Sequence, residues 1–376
     1  MRWRRSQWQD STRAFTSVRI AIITIHHVPN YGAVLQAFAL ADYLRAAGHD
    51  VETVDYRPRC ACDYYRVPWR IPPRMNMWLR RRRCLRFVER HVRLSHRLYR
   101  SVDDFAPDAA GYDVLITGSD QVWFTGSYQK FDRMFFLDCA SGKARKLSYA
   151  ASVGGSESFG LNTQQVRRAL SSLDHLSVRD EHSRQLVEAL CDKPVETVVD
   201  PIFLCDFRRL PHWWNQRPSQ GPYLLVFGNF GEAESRKIRE MADQEGLRLV
   251  ALQYRLTGAD QRIPAPDPVT WLQYCRHAER IVTSYFHGTA FAVKFEKPFV
   301  AVPTPGRRQK VHGLLQPLGL SNRCQMEVPD AEKVSTLEPI IWQDVRSRLE
   351  KRIARSQRFL DKALCDVPSG GSPRAR

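Results

Sequence analysis

No run in the chain approaches the ~18 consecutive apolar residues that a membrane-spanning helix needs. The longest near the start, VRIAIITI from Val18, has eight residues and reads as a buried strand. The sequence contains neither GxGxxG nor GxxxxGK followed by Ser or Thr, so both glycine-rich nucleotide fingerprints are missing. Its nine cysteines are odd in number and form no CxxC pairs with a second pair or histidine partners. Cys60 and Cys62, two apart, lack zinc spacing, so no metal site is expected and reduced thiols of a cytoplasmic protein are. The basic opening MRWRRSQWQDSTRAFTS has no adjoining apolar segment or small-residue cleavage site, which argues against a signal peptide.

Acidic residues are also scarce, 40 against 57 Lys and Arg, for a net charge of +17. The excess is concentrated. Residues 1–19 hold five Arg against one Asp, and residues 57–100 hold fourteen Arg against two acids. In the second segment Met75, Trp78, Leu79, Leu85, Phe87 and Val88 interleave with arginines. Such a basic amphipathic helix can lie on an anionic membrane surface, as a peripheral protein of the inner face does, or cover an acidic acceptor. The segment carries no nucleic-acid recognition motif, so no nucleic-acid partner is expected.

The 376 residues, 43% of them apolar, suffice for two packed domains. Strand-like runs at VRIAIITIH, DVETVDY, YDVLITGS, KLSYAAS, HLSVRD and ETVVDP alternate with helical spacing over GAVLQAFALADYLRAAG, 163–173 and 181–190. A second series follows the Pro- and Trp-rich passage RLPHWWNQRPSQGP: YLLVFGNF, a helix over 232–245, LRLVAL, a helix VTWLQYCRHA, RIVTS, a further helix and PFVAVP. Strand–helix alternation implies parallel sheets covered on both faces. The expected fold is α/β, with two Rossmann-like domains facing a cleft. A basic extension (1–17) precedes an N-terminal domain over 18–207 with the basic insertion 57–100. A C-terminal domain over 208–335, a long helix over 336–366 and a polar tail (367–376) follow.

Four strand ends carry polar chemistry, at the edge where ligands gather in such sheets. After the first strand, Asn30, Tyr31 and Gly32 turn into a helix, and Asn30 and Gln36 can exchange hydrogen bonds with an acceptor. They can equally cap the helix. In TGSDQVWF, Ser119, Asp120, Gln121 and Trp123 offer a hydroxyl, a carboxylate base, an amide and a face for stacking sugar, or simply a helix cap. Arg179 ends HLSVRD, placed to clamp a carboxylate or phosphate unless it joins a surface ion pair. Asp200-Pro201 reads as a turn. SYFHGTAF opens an apolar helix with His287, Gly288 and Thr289 in its first turn and no carboxylate before Glu296, leaving free N–H groups for an outside anion.

In order, the motifs NYGAVLQAFAL, GSDQVWF, YAAS, SVRDEHSRQLV, VDPIFL and SYFHGTAFAVKFEKPFVAV resemble the polysaccharide pyruvyl transferase family from about Ile20 to Val302. The resemblance implies a GT-B-like architecture and transfer of the pyruvyl group of phosphoenolpyruvate onto two hydroxyls of a sugar, forming a ketal. The co-substrate is phosphoenolpyruvate, with no further cofactor. The acceptor would be a sugar of a surface polysaccharide or its lipid-linked oligosaccharide precursor. It also implies His287 as acid or phosphate ligand, with Arg179, Tyr285, Gly288 and Thr289 at the donor. Asp120 would be the base, and Asn30, Tyr31, Gln36, Ser119, Gln121 and Trp123 would line the acceptor side. In one respect the sequence departs from the pattern. Several relatives have arginine two places before the motif histidine, where this chain has Tyr285; Arg255, Arg307 and Arg308 are candidates to replace it. Two other readings compete: a glycosyltransferase using a nucleotide sugar on the same architecture, and a non-catalytic organiser of polysaccharide assembly at the membrane.

Overall fold

The computed structural model describes residues 17–58, 74–125, 131–139, 142–218, 221–336 and 338–365. Nearly all of the basic extension, residues 59–73 of the basic segment and the C-terminal tail lie outside the described residues.

The chain begins with β1 (Arg19–Ile23), α1 (Tyr31–Ala46) and β2 (Asp50–Tyr56). It continues through α2 (Arg74–His91), β3 (Leu94–Tyr99), α3 (Val102–Ala109), β4 (Val114–Thr117) and β5 (Arg145–Ser148). These strands form one sheet in the order β3-β2-β1-β4-β5, with every pair parallel. The β-branched run of β1 is buried apart from Arg19, as a central strand covered on both faces must be. Asn30 Oδ1 caps α1 by accepting from the N–H groups of Gly32 (3.0 Å) and Ala33 (3.3 Å). Gly48 ends the turn after α1 in the left-handed region, at φ 96°.

Helix α2 and strand β3 turn the basic segment into part of the fold. Cys84, Phe87 and Val88, spaced for one helical face, are buried in the apolar core, with Phe87 edge-on to Phe38 at 5.9 Å. β3 then becomes the edge strand beside β2. The apolar face that the sequence shows among the arginines is thus spent, at Phe87 and Val88, on the protein's own core rather than on a membrane, and the segment is not an insertion.

After β5 come α4 (Thr163–Ser171), β6 (Leu176–Val178), α5 (Glu181–Glu188) and β7 (Val195–Thr197). β6 and β7 pair with each other, and bridges Leu147–His175 and Ala151–Val178 continue the first sheet onto them. Ser148 and Ser177 reinforce that junction by exchanging side-chain and backbone hydrogen bonds of 2.8–2.9 Å.

The second half comprises β8 (Tyr223–Phe227), α6 (Glu232–Gln244), β9 (Arg248–Leu252), β10 (Gln261–Ile263), α7 (Pro268–His277) and β11 (Arg280–Thr283). It ends with α8 (Phe286–Lys294), β12 (Phe299–Ala301), α9 (Pro305–Leu315), α10 (Ala331–Ser335) and α11 (Trp342–Cys365). Its sheet runs β10-β9-β8-β11-β12, all parallel, so both halves have the same strand order. The final helix starts at Trp342 rather than 336, since Pro339 interrupts it. α11 straps the halves together: Val345 and Leu349 join the second half's core, while Phe359, Leu360 and Ala363 pack with Ile20 and Ile22. Between the halves, Tyr31 stacks on Trp271 (5.7 Å, 15°) and Phe207, itself stacked on Phe38 (5.9 Å, 19°), meets Phe291 at 5.9 Å, within one continuous apolar cluster.

Candidate active site

The C-terminal ends of both sheets face a cleft of about 500 Å³. Asn30 follows β1, Asp120 and Gln121 follow β4, Arg179 follows β6, and His287 follows β11. Tyr285, Arg307 and Lys310 complete the polar wall. Parallel sheets collect these groups because every strand of both halves delivers its following loop to the same edge.

Helix α8 presents its N-terminus to this cleft. Tyr285 stands at the N-cap without a side-chain cap, and the first turn has no acidic residue. The first helical hydrogen bond is Thr289 N–H to Tyr285 C=O (3.1 Å), leaving the N–H groups of Phe286, His287 and Gly288 without an acceptor among the described residues. The aligned peptide dipoles add positive potential there.

His287 is buried, and its Nε2 stands 3.4 Å from Asp200 Oδ2, within ion-pair range but long for a full hydrogen bond. Nε2 is wholly enclosed, so Nδ1 is the ring nitrogen with access to the cleft. Gly32 lies against this edge; a Cβ there would overlap the ring. The same Asp200 oxygen accepts from Arg179 Nη1 at 3.0 Å, and Asp120 Oδ1 stands 3.7 Å from that nitrogen. Burial alone would raise the Asp200 carboxyl. Contact with His287, the charges of His287 and Arg179, and the Ile202 N–H outweigh it and hold the group below the usual carboxylate range. Asp200 thus makes the predicted turn, accepting from Ile202 N–H (3.1 Å), and also holds the arginine and the histidine.

Arg179 carries two carboxylates and rests over the Phe286 ring at 4.1 Å, so it is not the surface ion pair that its local sequence allows. Asp120 adopts φ 75°, a left-handed backbone that non-glycine residues rarely take and that recurs at functional sites. Tyr285 stacks on Tyr254 (5.8 Å, 11°), their hydroxyls touch, and the Arg307 guanidinium lies 4.5 Å over the Tyr285 ring. Of the three candidate replacement arginines, Arg307 is the one lining the cleft.

Five residues predicted at the site are committed elsewhere. Trp123 is fully buried, donates Nε1–H to Phe135 C=O (3.0 Å) and stacks on Phe136, so no sugar can reach its face. Tyr31 is spent on the stack with Trp271. The Gln36 amide donates to Thr24 Oγ1 and Ala33 C=O, both at 2.9 Å. Ser119 is fully buried and absent from the cleft lining, its carbonyl accepting from Thr24 and its hydroxyl enclosed without a partner among the described residues. The Thr289 hydroxyl donates to Tyr285 C=O at 3.1 Å, back along its own helix. Gly288 has a steric task, since a Cβ there would overlap Thr283.

The sequence matches the polysaccharide pyruvyl transferase family over residues 30–305, most of the chain. The protein belongs to this family. No curated protein sequence matches it. Among solved structures, it resembles the UDP-GlcNAc 2-epimerase from Methanocaldococcus jannaschii, with a TM-score of 0.52, 10% identity, and 90% of this chain and 93% of that one covered. It also resembles the UDP-GlcNAc 2-epimerase from Neisseria meningitidis bound to UDP-GlcNAc (TM-score 0.51, 10% identity, 94% and 95% covered). At such identity the likeness concerns the fold, two Rossmann-like halves across a cleft in the GT-B-like arrangement. In this pyruvyl transferase family member the match takes in Asn30, Asp120, Arg179, Asp200 and His287, and ends where α9 begins. Arg307 and Lys310 lie just beyond it. Lys310 and the role of Asp200 are what sequence reasoning missed.

Proposed function

We propose that the protein transfers the pyruvyl group of phosphoenolpyruvate to two hydroxyls of a sugar in a surface polysaccharide or its lipid-linked precursor. The carrying observation is His287, backed by Asp200, at an uncapped helix opening in a cleft that also holds Arg307 and Lys310. Phosphoenolpyruvate brings a carboxylate and a phosphate, and an open helix N-terminus with nearby cations suits both.

His287 Nδ1 delivers a proton to the methylene carbon, turning it into a methyl group and leaving an oxocarbenium-like centre at C2. Asp200 faces Nε2 and stabilises the ring when it is charged. One sugar hydroxyl adds to C2 and loses its proton to Asp120. Phosphate then departs with the electron pair of its bond to C2. The second hydroxyl adds, loses its proton, and closes the ketal. Asn30 and Gln121 stand on the N-terminal wall as polar contacts for the acceptor. No helix among the described residues is long and apolar enough to cross a membrane. We place the enzyme in the cytoplasm, peripheral to the inner membrane face. Support comes from α2, where Met75 is 50% exposed and Arg82, Arg83, Arg86 and Arg90 are exposed along the helix.

The test is phosphate release from phosphoenolpyruvate with a pool of lipid-linked oligosaccharides, comparing wild type with His287→Ala. Acceptor-dependent release that disappears in the variant supports the reading. Release that persists in His287→Ala removes His287 from the chemistry.

A further inference from the structure

Lys310 is a buried cation with no carboxylate of the described residues in ion-pair contact. It is 8% exposed, lines the cleft, and makes no hydrogen bond or ion pair among the described residues. Burial of an unpaired charge is unfavourable, and other buried cations in this fold are compensated. Arg179 pairs with two carboxylates. Lys294, equally enclosed, donates to Cys205 C=O at 2.8 Å and faces the Phe207 ring. Lys310 therefore awaits a partner from outside the chain.

Charge balance says what kind. Asp120 and Asp200 already answer Arg179, so an anion entering the cleft finds its uncommitted fixed charge at Arg307 and Lys310, one helical turn apart on α9. The two differ in shape. Arg307 lies flat over Tyr285 and offers a planar fork, which matches a carboxylate. Lys310 is a compact point charge with three donors, which matches a tetrahedral phosphate.

We infer that Lys310 binds the phosphoryl group of the donor and neutralises it as it leaves, an inference that rests on the phosphoenolpyruvate reading above. When the bond between C2 and the bridging oxygen breaks, the electron pair goes to phosphate, and the ammonium donates hydrogen bonds to that growing charge. The second sugar hydroxyl fills the vacancy at C2, and its proton leaves to solvent. The groups facing Lys310 are Arg179, Arg307, Asp120 and Asp180. Burial, then Arg179 and Arg307, lowers the ammonium to about 8, with Asp120 and Asp180 acting against them. It thus stays protonated at neutral pH yet is poised to take up charge more firmly when an anion arrives.

Calorimetric titration of the full-length protein with inorganic phosphate, pyruvate and phosphoenolpyruvate tests this. In Lys310→Met, affinity for phosphate and phosphoenolpyruvate should fall about ten- to a hundredfold, as for loss of one charged hydrogen bond, while pyruvate binding is unchanged. Lys310→Arg should recover part of the loss, and serves also where Lys310→Met does not fold. Wild type should take up protons on binding phosphate near pH 8, and Lys310→Arg should not. Equal binding of phosphate by wild type and Lys310→Met overturns the inference. If phosphoenolpyruvate fails to bind even wild type while phosphate binds through Lys310, the donor reading fails and the phosphate site stands.

Discussion

Gly32, in the first turn of α1, packs against the His287 ring of α8 so closely that a methyl group at position 32 would overlap Nδ1. The histidine is thereby held between the two halves, with Gly32 on one edge and Asp200 on the other. Gly32→Ala should displace the ring and lower turnover about a hundredfold, the usual consequence of misplacing a reacting group by an ångström. Its melting temperature should change far less than its kcat. Kinetics and a thermal melt on the same preparation check this; a variant with normal turnover would contradict the packing argument.

Asp200→Asn should act on stability and activity together. Removing one partner from a buried ionic cluster leaves Arg179 short of charge, at about 3–5 kcal/mol. Because the Asp200 carboxyl is depressed in the folded state, its stabilising contribution is present above the unfolded carboxylate range near 4. It is lost as pH falls through the lower folded value. Wild type should therefore lose stability in that acid window, and the variant should show a shallower fall when denaturant melts are repeated across it.

Lys310 should show the opposite trade. Its ammonium is lowered from 10.5 to about 8, so the unfavourable burial is fully felt below pH 8 and is relieved as pH rises toward 10.5. Ligand-free wild type should gain stability across that window relative to Lys310→Met. At pH 7 the variant should be more stable by up to roughly 3 kcal/mol. Urea melts at three pH values check this, and a destabilised variant at pH 7 would contradict it.

Tyr285 carries Arg307 on its ring face. Tyr285→Phe keeps that face and should retain donor affinity within about threefold, since a cation over a ring is worth ~0.5–2 kcal/mol. Tyr285→Ala removes it and should raise the donor KM about tenfold with less effect on kcat. Equal KM values for both variants would mean that the ring does not position the arginine.

The exposed arginines of α2 predict salt-sensitive binding to vesicles containing phosphatidylglycerol, each contributing about 1 kcal/mol. Replacing Arg82, Arg86 and Arg90 by Gln should abolish cosedimentation at low salt while leaving the fold intact. Unchanged cosedimentation would assign the binding elsewhere.

The alternation of strands and helices was legible because β1, β4, β8 and β11 are compact, largely apolar runs and their helices keep apolar spacing. β10 is three residues of QRI without a buried apolar pair, and nothing local marks it. α9, PGRRQKVHGLL, begins with Pro at its first position, a valid start signal, but its cations obscure any apolar face. His287 and Arg179 were legible from their motifs. Asp200 was not, because Asp-Pro has a sufficient local explanation and its pairing with His287 spans the two halves. Trp123 misled for the opposite reason: an aromatic after a strand suits sugar stacking, until Phe136 covers it.

The most direct measurement is calorimetric titration of wild type and Arg307→Gln with phosphoenolpyruvate, with UDP-GlcNAc titrated in parallel. Phosphoenolpyruvate should bind wild type and, more weakly, the variant, and UDP-GlcNAc should bind neither. Binding of UDP-GlcNAc to a protein that ignores phosphoenolpyruvate would contradict it and make the cleft a nucleotide-sugar site.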